Sequence, residues 1–462
     1  MKAVSNIPIR FEALVLVLLF AALFLPGTHA QTRDVVTSLE RVAGLIRENK
    51  IGEAEQQLTP ILKAAPDAAM ALNLMGTIRA QQGRLDEAEM LFLRAVRNNS
   101  EFVGARMNLA YLYLLKRAPE KTILELKEVL RLEPDNTDVA EKLAGLLLAQ
   151  GKLDECISVV EKVRLLRSLP PPLLVVLSDA YLKKANLKKA EEGYLLALEG
   201  RLDNAGALLG MAQIAQARAE TREASLYLSR VGSLLADSPS PDFLYRFALI
   251  ALRSEMSNEA GAALERAVKL RPEEPAYYLA LGIVWLRKGD LFEAEKVFRR
   301  TIELRPDSQQ GQLHLGYVLL NQKKYGEARQ WLEKSAMSKA IVPEVYYYLG
   351  LVAQEQNDDL KAIDLFEKTI QRLPRYAHAR VALGLSHMKL KNYPRALEEL
   401  ETAVKLDPDD PQAHYNLALL YARLKDPQRA QEKMRIVERL KSKGVAPTDG
   451  SVIVVPPASP LP

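Results

Sequence analysis

Apolar side chains recur at i, i+3, i+4 and i+7 along most of this chain. In the stretch from Pro275, Tyr278, Leu281, Gly282 and Trp285 form one such stripe, and Ala294, Val297, Phe298 and Thr301 form the next. Each stripe predicts a helix with one buried and one polar face. Gly289 and Asp290 break the chain between the two helices, and Pro306 is expected to end the second, because its ring cannot continue the hydrogen-bond ladder. The pair of stripes recurs every 34 residues, from 35, 69, 103, 137, 171 and 205 and, after a two-residue insertion, from 241, 275, 309, 343, 377 and 411. The twentieth slot of these copies holds Ala54, Ala88, Thr122, Cys156, Ala190, Ala224, Ala260, Ala294, Ala328, Ala362, Ala396 and Ala430. A small side chain there lets two helix backbones approach, and Gly282 is expected to face Ala294 for this reason. One helix pair cannot bury its stripes alone, whereas a stack can. The pattern therefore predicts an all-α solenoid of about twelve helix-turn-helix repeats within residues 31–444.

The copies NLMGTIRAQQGRLDEAEMLFLRAV from Asn73, YYLALGIVWLRKGDLFEAEKVFRRTI from Tyr277 and YYLGLVAQEQNDDLKAIDLFEKTI from Tyr347 pair a small residue on the first helix with Ala and Phe on the second. In these residues the chain resembles the tetratricopeptide-repeat family, over residues 35 to 444. Copies three to seven depart further, with Thr122 and Cys156 for alanine and Leu202 for proline, and helix pairs are expected there too. The resemblance implies an α-α superhelix whose first helices line a concave surface that captures peptide or protein segments. Slots 4, 7, 8 and 11 face the second helix, which leaves slots 2, 5, 6, 9, 12 and 13 for that surface. Repeats one to six place Asn73, Asn108, Tyr111, Glu141, Lys142, Asp179, Lys183 and Gln213 there, among apolar or small residues. Repeats seven to twelve place Tyr245, Arg246, Arg253, Arg287, His314, Tyr317, Asn321, Tyr347, Tyr348, His378, Lys389, Tyr415, Asn416 and Arg423. Tyrosine, arginine and asparagine are typical of interfaces, so these residues are the expected partner-binding groove. Arg246, Arg253, Arg287, Lys389 and Arg423 outnumber Asp242, Glu344 and Glu355 on it, which favours an acidic or aromatic-rich segment. No triplet of repeats matches the family's clamp for a terminal carboxylate. Slot six holds asparagine only at Asn108 and Asn416, too few for the asparagine ladder of glycosyltransferase-linked arrays.

The ends read differently. Lys2 and Arg10 flank the start, Ala13 to Leu25 is unbroken apolar sequence, Pro26 and Gly27 break it, and Thr28-His29-Ala30 supplies small residues. This is the pattern of a signal peptide over residues 1–30, cleaved after Ala30. The run is shorter than the ~20 residues that span a bilayer, so a membrane contact is expected only if the leader is retained as an anchor. After Gly444 the chain reads VAPTDGSVIVVPPASPLP, a proline-rich tail over 445–462 that is expected to be disordered. The alternative is that its Val452 to Val455 run folds back over the last repeat or meets a second copy there. The insertion DSPS at Asp237 to Ser240 is a candidate joint or simply a longer loop.

Composition narrows function by exclusion. A formal charge of +5 over 462 residues, without long basic runs, argues against nucleic acid. A single cysteine forbids an internal disulfide, and the slot of Cys156 suits a small buried residue. The sequence shows no phosphate loop, nucleophile elbow, zinc or calcium pattern, and the histidines form no i, i+4 pair, so no cofactor, metal or catalysis is expected. His387 lies on an apolar stripe and is expected in the core, whereas His314 and His378 are expected to face a partner. The expected protein is an exported, non-enzymatic scaffold that binds protein segments in envelope assembly or secretion. The alternative is a component of exopolysaccharide synthesis or export, in which tyrosines stack on sugar rings.

Overall fold

The computed structural model describes residues 29–235, 240–338 and 342–443, and among them every regular element is a helix. The chain divides into two compact units at Glu220 and Thr221. The first holds α1 (His29–Arg47), α2 (Ile51–Ala64), α3 (Ala69–Gln81), α4 (Leu85–Asn98), α5 (Val103–Leu115), α6 (Pro119–Leu132), α7 (Thr137–Ala149), α8 (Leu153–Arg164), α9 (Pro171–Lys183), α10 (Leu187–Gly200) and α11 (Ala205–Ala217). The second holds α12 (Thr221–Leu234), α13 (Pro241–Arg253), α14 (Ser257–Leu270), α15 (Pro275–Arg287), α16 (Leu291–Leu304), α17 (Gln309–Asn321), α18 (Tyr325–Ala336), α19 (Glu344–Glu355), α20 (Asp359–Arg372), α21 (Ala377–Lys389), α22 (Tyr393–Leu406), α23 (Pro411–Arg423) and α24 (Pro427–Ser442). Odd-numbered helices are the first helices of the repeats and even-numbered ones the second. The leader up to Thr28, the tail from Gly444 and most of the DSPS insertion lie outside the described residues. Of that insertion only Ser240 is described, and its hydroxyl accepts from the Phe243 N–H to cap α13.

All twelve first helices end in the same way. Asn49, Gly83, Arg117, Gly151, Ala185, Ala219, Glu255, Gly289, Lys323, Asn357, Lys391 and Lys425, each at slot 15, have φ between 55° and 76°. The next residue's N–H then reaches back along the helix, as from Asp290 to the Trp285 carbonyl at 3.0 Å and from Lys324 to Leu319 at 2.8 Å. This closes carbonyls that the helix end leaves open. Glycine occupies the slot only at Gly83, Gly151 and Gly289. Elsewhere a side chain is held in the left-handed region, at a cost of roughly 1 kcal/mol.

Within a repeat the closest approach is not quite the expected one. A methyl group added at Gly282 would collide with the Phe298 ring, not with Ala294. Gly76 stands in the same relation to Phe92 at 2.6 Å, Gly316 to Leu332 at 2.5 Å and Gly350 to Phe366. Ala294 is fully buried alongside, and for Gly316 and Gly384 the slot-20 carbonyls of Ala328 and Ala396 lie 3.4 and 3.5 Å from the added methyl position. Where slot 8 is glycine, it therefore gives up its side chain to seat a ring or a leucine from slot 24. Proline is not what stops the second helix: α16 ends at Leu304, before Pro306, and α10 ends at Gly200 although Leu202 replaces proline.

Successive repeats of the first unit are also joined by polar bonds. Arg79 and Gln82 reach Glu55 at 2.7 and 2.8 Å, Lys116 reaches Asp86 at 2.7 Å and Glu89, Lys184 reaches Asp154, and Arg218 reaches Glu191 at 2.6 Å. Each links the end of one first helix to the start of the preceding second helix, where acidic groups also offset the helix dipole. Several of these groups, Asp86 and Asp154 above all, are exposed, so solvent screens the pairs and they add little to stability.

Two substitutions should move stability in opposite directions. Ala185→Gly relieves a left-handed alanine and should stabilise by about 0.5–1 kcal/mol. Gly282→Ala must displace the Phe298 ring and should destabilise by roughly 1–3 kcal/mol despite better helix propensity. Urea unfolding midpoints check both, and shifts in the same direction would contradict this account of the repeat.

Candidate binding surface

The first helices of the second unit distribute the fourteen expected groove residues over three environments. Arg246 and Arg253 on α13, Arg287 on α15, Lys389 on α21 and Arg423 on α23 are exposed. Tyr245, Asn321, His378 and Tyr415 are half-buried. His314, Tyr317, Tyr347, Tyr348 and Asn416 are buried, at 1%, 7%, 0%, 0% and 0% exposure, which corrects their expected place on an open surface.

For the three tyrosines the reason is ring packing between neighbouring repeats. Tyr317 meets Tyr348 edge-on at 5.6 Å, Tyr348 meets Tyr347 at 5.3 Å, and Tyr347 meets Phe366 at 6.0 Å and Tyr376 at 5.2 Å. Tyr376 in turn lies 5.7 Å from His378. These rings tie repeats nine, ten and eleven together through edge-to-face contacts. Burial holds the hydroxyls of Tyr347 and Tyr348 well above the ordinary tyrosine pKa. Asn321 and Asn416 turn their amides back on their own helices, donating to the Tyr317 and Gln412 carbonyls at 2.9 Å.

The histidines exchange roles. His314 packs 5.2 Å from Phe298, and its Nδ1 donates to the Gln310 carbonyl at 2.8 Å. Burial lowers its pKa to about 4, which keeps it neutral. His387, expected in the core, is only half-buried.

Two of the exposed cations also serve the fold. Arg287 donates to the Leu252 carbonyl at the end of α13, and Lys389 lies 3.4 Å from the Gln354 carbonyl at the end of α19 and 3.6 Å from Asp359. Each caps the negative end of the preceding first helix. The acidic groups of this face are partly neutralised. Asp242 is paired with Arg271 at 2.8 Å and accepts from the Tyr277 hydroxyl at 2.7 Å, and Glu355 accepts from the Tyr325 hydroxyl at 2.8 Å. Tyr245 stacks 5.1 Å from Tyr277; burial and then Glu274 push its hydroxyl up to about 12.

In the first unit, Asn108 donates to Asn73 at 2.8 Å and both are buried, as is Asp179, which accepts from the Tyr194 hydroxyl at 2.5 Å. The Cys156 thiol is buried, donates to the Ala144 carbonyl at 3.4 Å and is pushed up to about 11 by burial and by Asp179, so it is a poor nucleophile. Sequence reasoning missed an open cleft of about 610 Å³ along α6, α7 and α8, lined among others by Leu130, Arg131, Leu143, Val159 and Lys162. Its only sequence signal is the Leu165-Leu166 pair beyond α8, of which Leu166 lines the cleft. Among the described residues no cluster of three or more His, Cys, Asp or Glu is arranged to hold a metal ion, and no helix is long and apolar enough to cross a membrane.

Family models described as tetratricopeptide repeat match residues 44–101, 245–308, 293–340 and 344–375, and one described as TPR repeat matches 384–425. The chain belongs to the tetratricopeptide-repeat family. It is 26% identical over 239 residues to Cellulose synthase operon protein C of Xanthomonas axonopodis pv. citri (strain 306), a match over 52% of this chain and 14% of that protein. The tetratricopeptide array thus spans a small fraction of that relative's length. Among solved structures, the APC/C hetero-tetramer Cut9-Hcn1 is 14% identical, with 84% of this chain and 96% of that chain covered and a TM-score of 0.45. The pilF protein of Pseudomonas aeruginosa is 20% identical, with 44% and 92% covered and a TM-score of 0.40.

Neutral His314 makes the array acid-sensitive. Its folded pKa lies below the unfolded value of about 6.5, so its contribution is complete above pH 6.5 and lost as pH falls from there toward 4, by up to roughly 3 kcal/mol. Melting followed from pH 7 to 4 should show this loss, and His314→Gln should flatten it. An unchanged acid limb in the variant would show that another group titrates.

Proposed function

We propose that this array is an exported, non-enzymatic scaffold whose second unit holds an acidic, aromatic-containing protein segment along its first helices, in envelope assembly or secretion. One observation carries the reading: Arg246, Arg253, Arg287, Lys389 and Arg423 are all exposed on these helices, beside the half-buried rings of Tyr245, Tyr415 and His378. Exposed cations steer an acidic segment, and half-buried rings offer it rigid apolar area. Export rests on the leader sequence.

A second reading has its own support. The similarity to Cellulose synthase operon protein C favours a role beside polysaccharide synthesis or export, with a sugar chain or its machinery as the partner.

The test uses the full chain with fluorescent acidic peptides that contain tyrosine and phenylalanine, and with cello-oligosaccharides. Arg253→Glu combined with Arg423→Glu should weaken peptide binding tenfold or more, about 1.4 kcal/mol, at unchanged melting temperature. Arg287 and Lys389 are avoided because they cap neighbouring helices. Undiminished peptide binding would overturn the first reading, and binding of the sugars alone would favour the second.

A further inference from the structure

We propose that two copies of this chain associate through the first unit, with α8 of each copy lying antiparallel beside α8 of the other and over the cleft at α6. The proposal is independent of the groove in the second unit.

The cleft has a local cause. Slot 24 holds a leucine, a ring or a methionine in the other repeats but Val160 in repeat four. α8 has 12 residues where α6 has 14, so it stops short of slots 29 and 30. Within either unit, no other first helix packs on its successor as broadly as α7 does on α9. A space is left where α6, α7 and α8 meet. Fully buried Leu143 and Val163 are its floor, and half-buried Leu130 and Val159 are its walls.

Beside this hollow stands a projection. Slot 29 is polar in every repeat except where it holds Leu165 and Met337. Leu165 is 87% exposed, and Leu166 next to it is exposed too. Both are held in place: their N–H groups donate to the Glu161 and Val163 carbonyls at 3.2 and 2.9 Å, and Arg167 donates to the Asp135 carbonyl at 3.3 Å. A hollow and a projection on one face are what a two-fold interface uses, since each copy supplies both halves.

Charge fixes the orientation. Along the side of α8 that borders the cleft stand Glu155, Ser158, Val159 and Lys162, acidic at the start and basic at the end. A parallel pair would set like charges against each other. An antiparallel pair centred on Ser158 and Val159 sets Glu155 of each copy against Lys162 of the other. Of the remaining charges on the cleft, Arg131 is paired with Glu128 at 3.1 Å and Asp154 with Lys184. Lys127 of α6 donates to Glu155 of α8 at 2.6 Å, a spacing of 28 residues. By the same spacing exposed Leu124 lies beside the start of α8, where the two-fold brings Leu165 of the second copy.

Light scattering of the full chain over a dilution series should show a dimer in equilibrium with monomer. Leu165→Asp should give monomer at unchanged melting temperature, because this side chain is exposed. Lys162→Glu should weaken association about tenfold by opposing like charges, and Lys162→Glu with Glu155→Lys should restore it. In a Cys156→Ala background, Ser158→Cys should form a disulfide-linked dimer several-fold faster than Gln330→Cys, which is exposed at the same slot of α18. Monomer at every concentration would overturn the proposal and leave the cleft to a helix of another protein. A dimer insensitive to Leu165→Asp and to the charge swap would overturn it as well, because the copies would then meet elsewhere. None of these variants touches Arg253 or Arg423, so the two readings fail separately.

Discussion

The tightest repeats depend on one concession: at Gly76, Gly282, Gly316, Gly350 and Gly384 the first helix gives up a side chain so that the second can lay a ring or a leucine against its backbone. Gly282 under Phe298 and Gly350 under Phe366 show the fit at its tightest. Since interiors are close-packed, a single carbon added at these glycines has nowhere to go. The left-handed residue at slot 15 fixes the direction from which the second helix arrives. Together they make a helix pair of constant shape, which is what allows one pair to stack on the next and share the burial that none achieves alone.

Stacking then decides what is available for binding. Where neighbouring first helices carry Tyr317, Tyr347 and Tyr348, ring contacts close the gap between repeats and the side chains become core. Where they carry arginine or lysine, the head group stays in water while the stem covers apolar surface. Arg287 and Lys389 do both, closing the carbonyls of one helix and presenting charge beyond it. The surface left over is therefore mainly cationic, with half-buried Tyr245 and Tyr415 beside the charges, because the fold consumed Tyr317, Tyr347 and Tyr348.

The helix pairs were legible in the sequence almost residue for residue. The copy from 275 places its helices at Pro275–Arg287 and Leu291–Leu304, on the stripes read from Tyr278 and Ala294. Less legible was the turn, since Ala185 and Ala219 adopt a backbone form that only glycine advertises. The candidate surface was legible only in part. Slot position says which side of a helix a tyrosine leaves from, but not whether the next repeat lies close enough to bury it. That depends on the spacing of α17 and α19, which Tyr348 and Tyr317 themselves set, and periodicity carries no such distance. His314 and His387 were misplaced for the same reason.

In an array of this kind stability follows local burial, so its distribution is the direct test of the account. Hydrogen exchange of the full chain, followed helix by helix, measures it. In α17 every residue from Gly311 to Leu320 is buried, whereas in α24 only Val437 and Leu440 are. The account predicts that amides of α17 and α19 exchange slowest and those of α24 among the fastest. If α24 exchanged as slowly as α17, stacking of one repeat on the next would not be what holds the fold together.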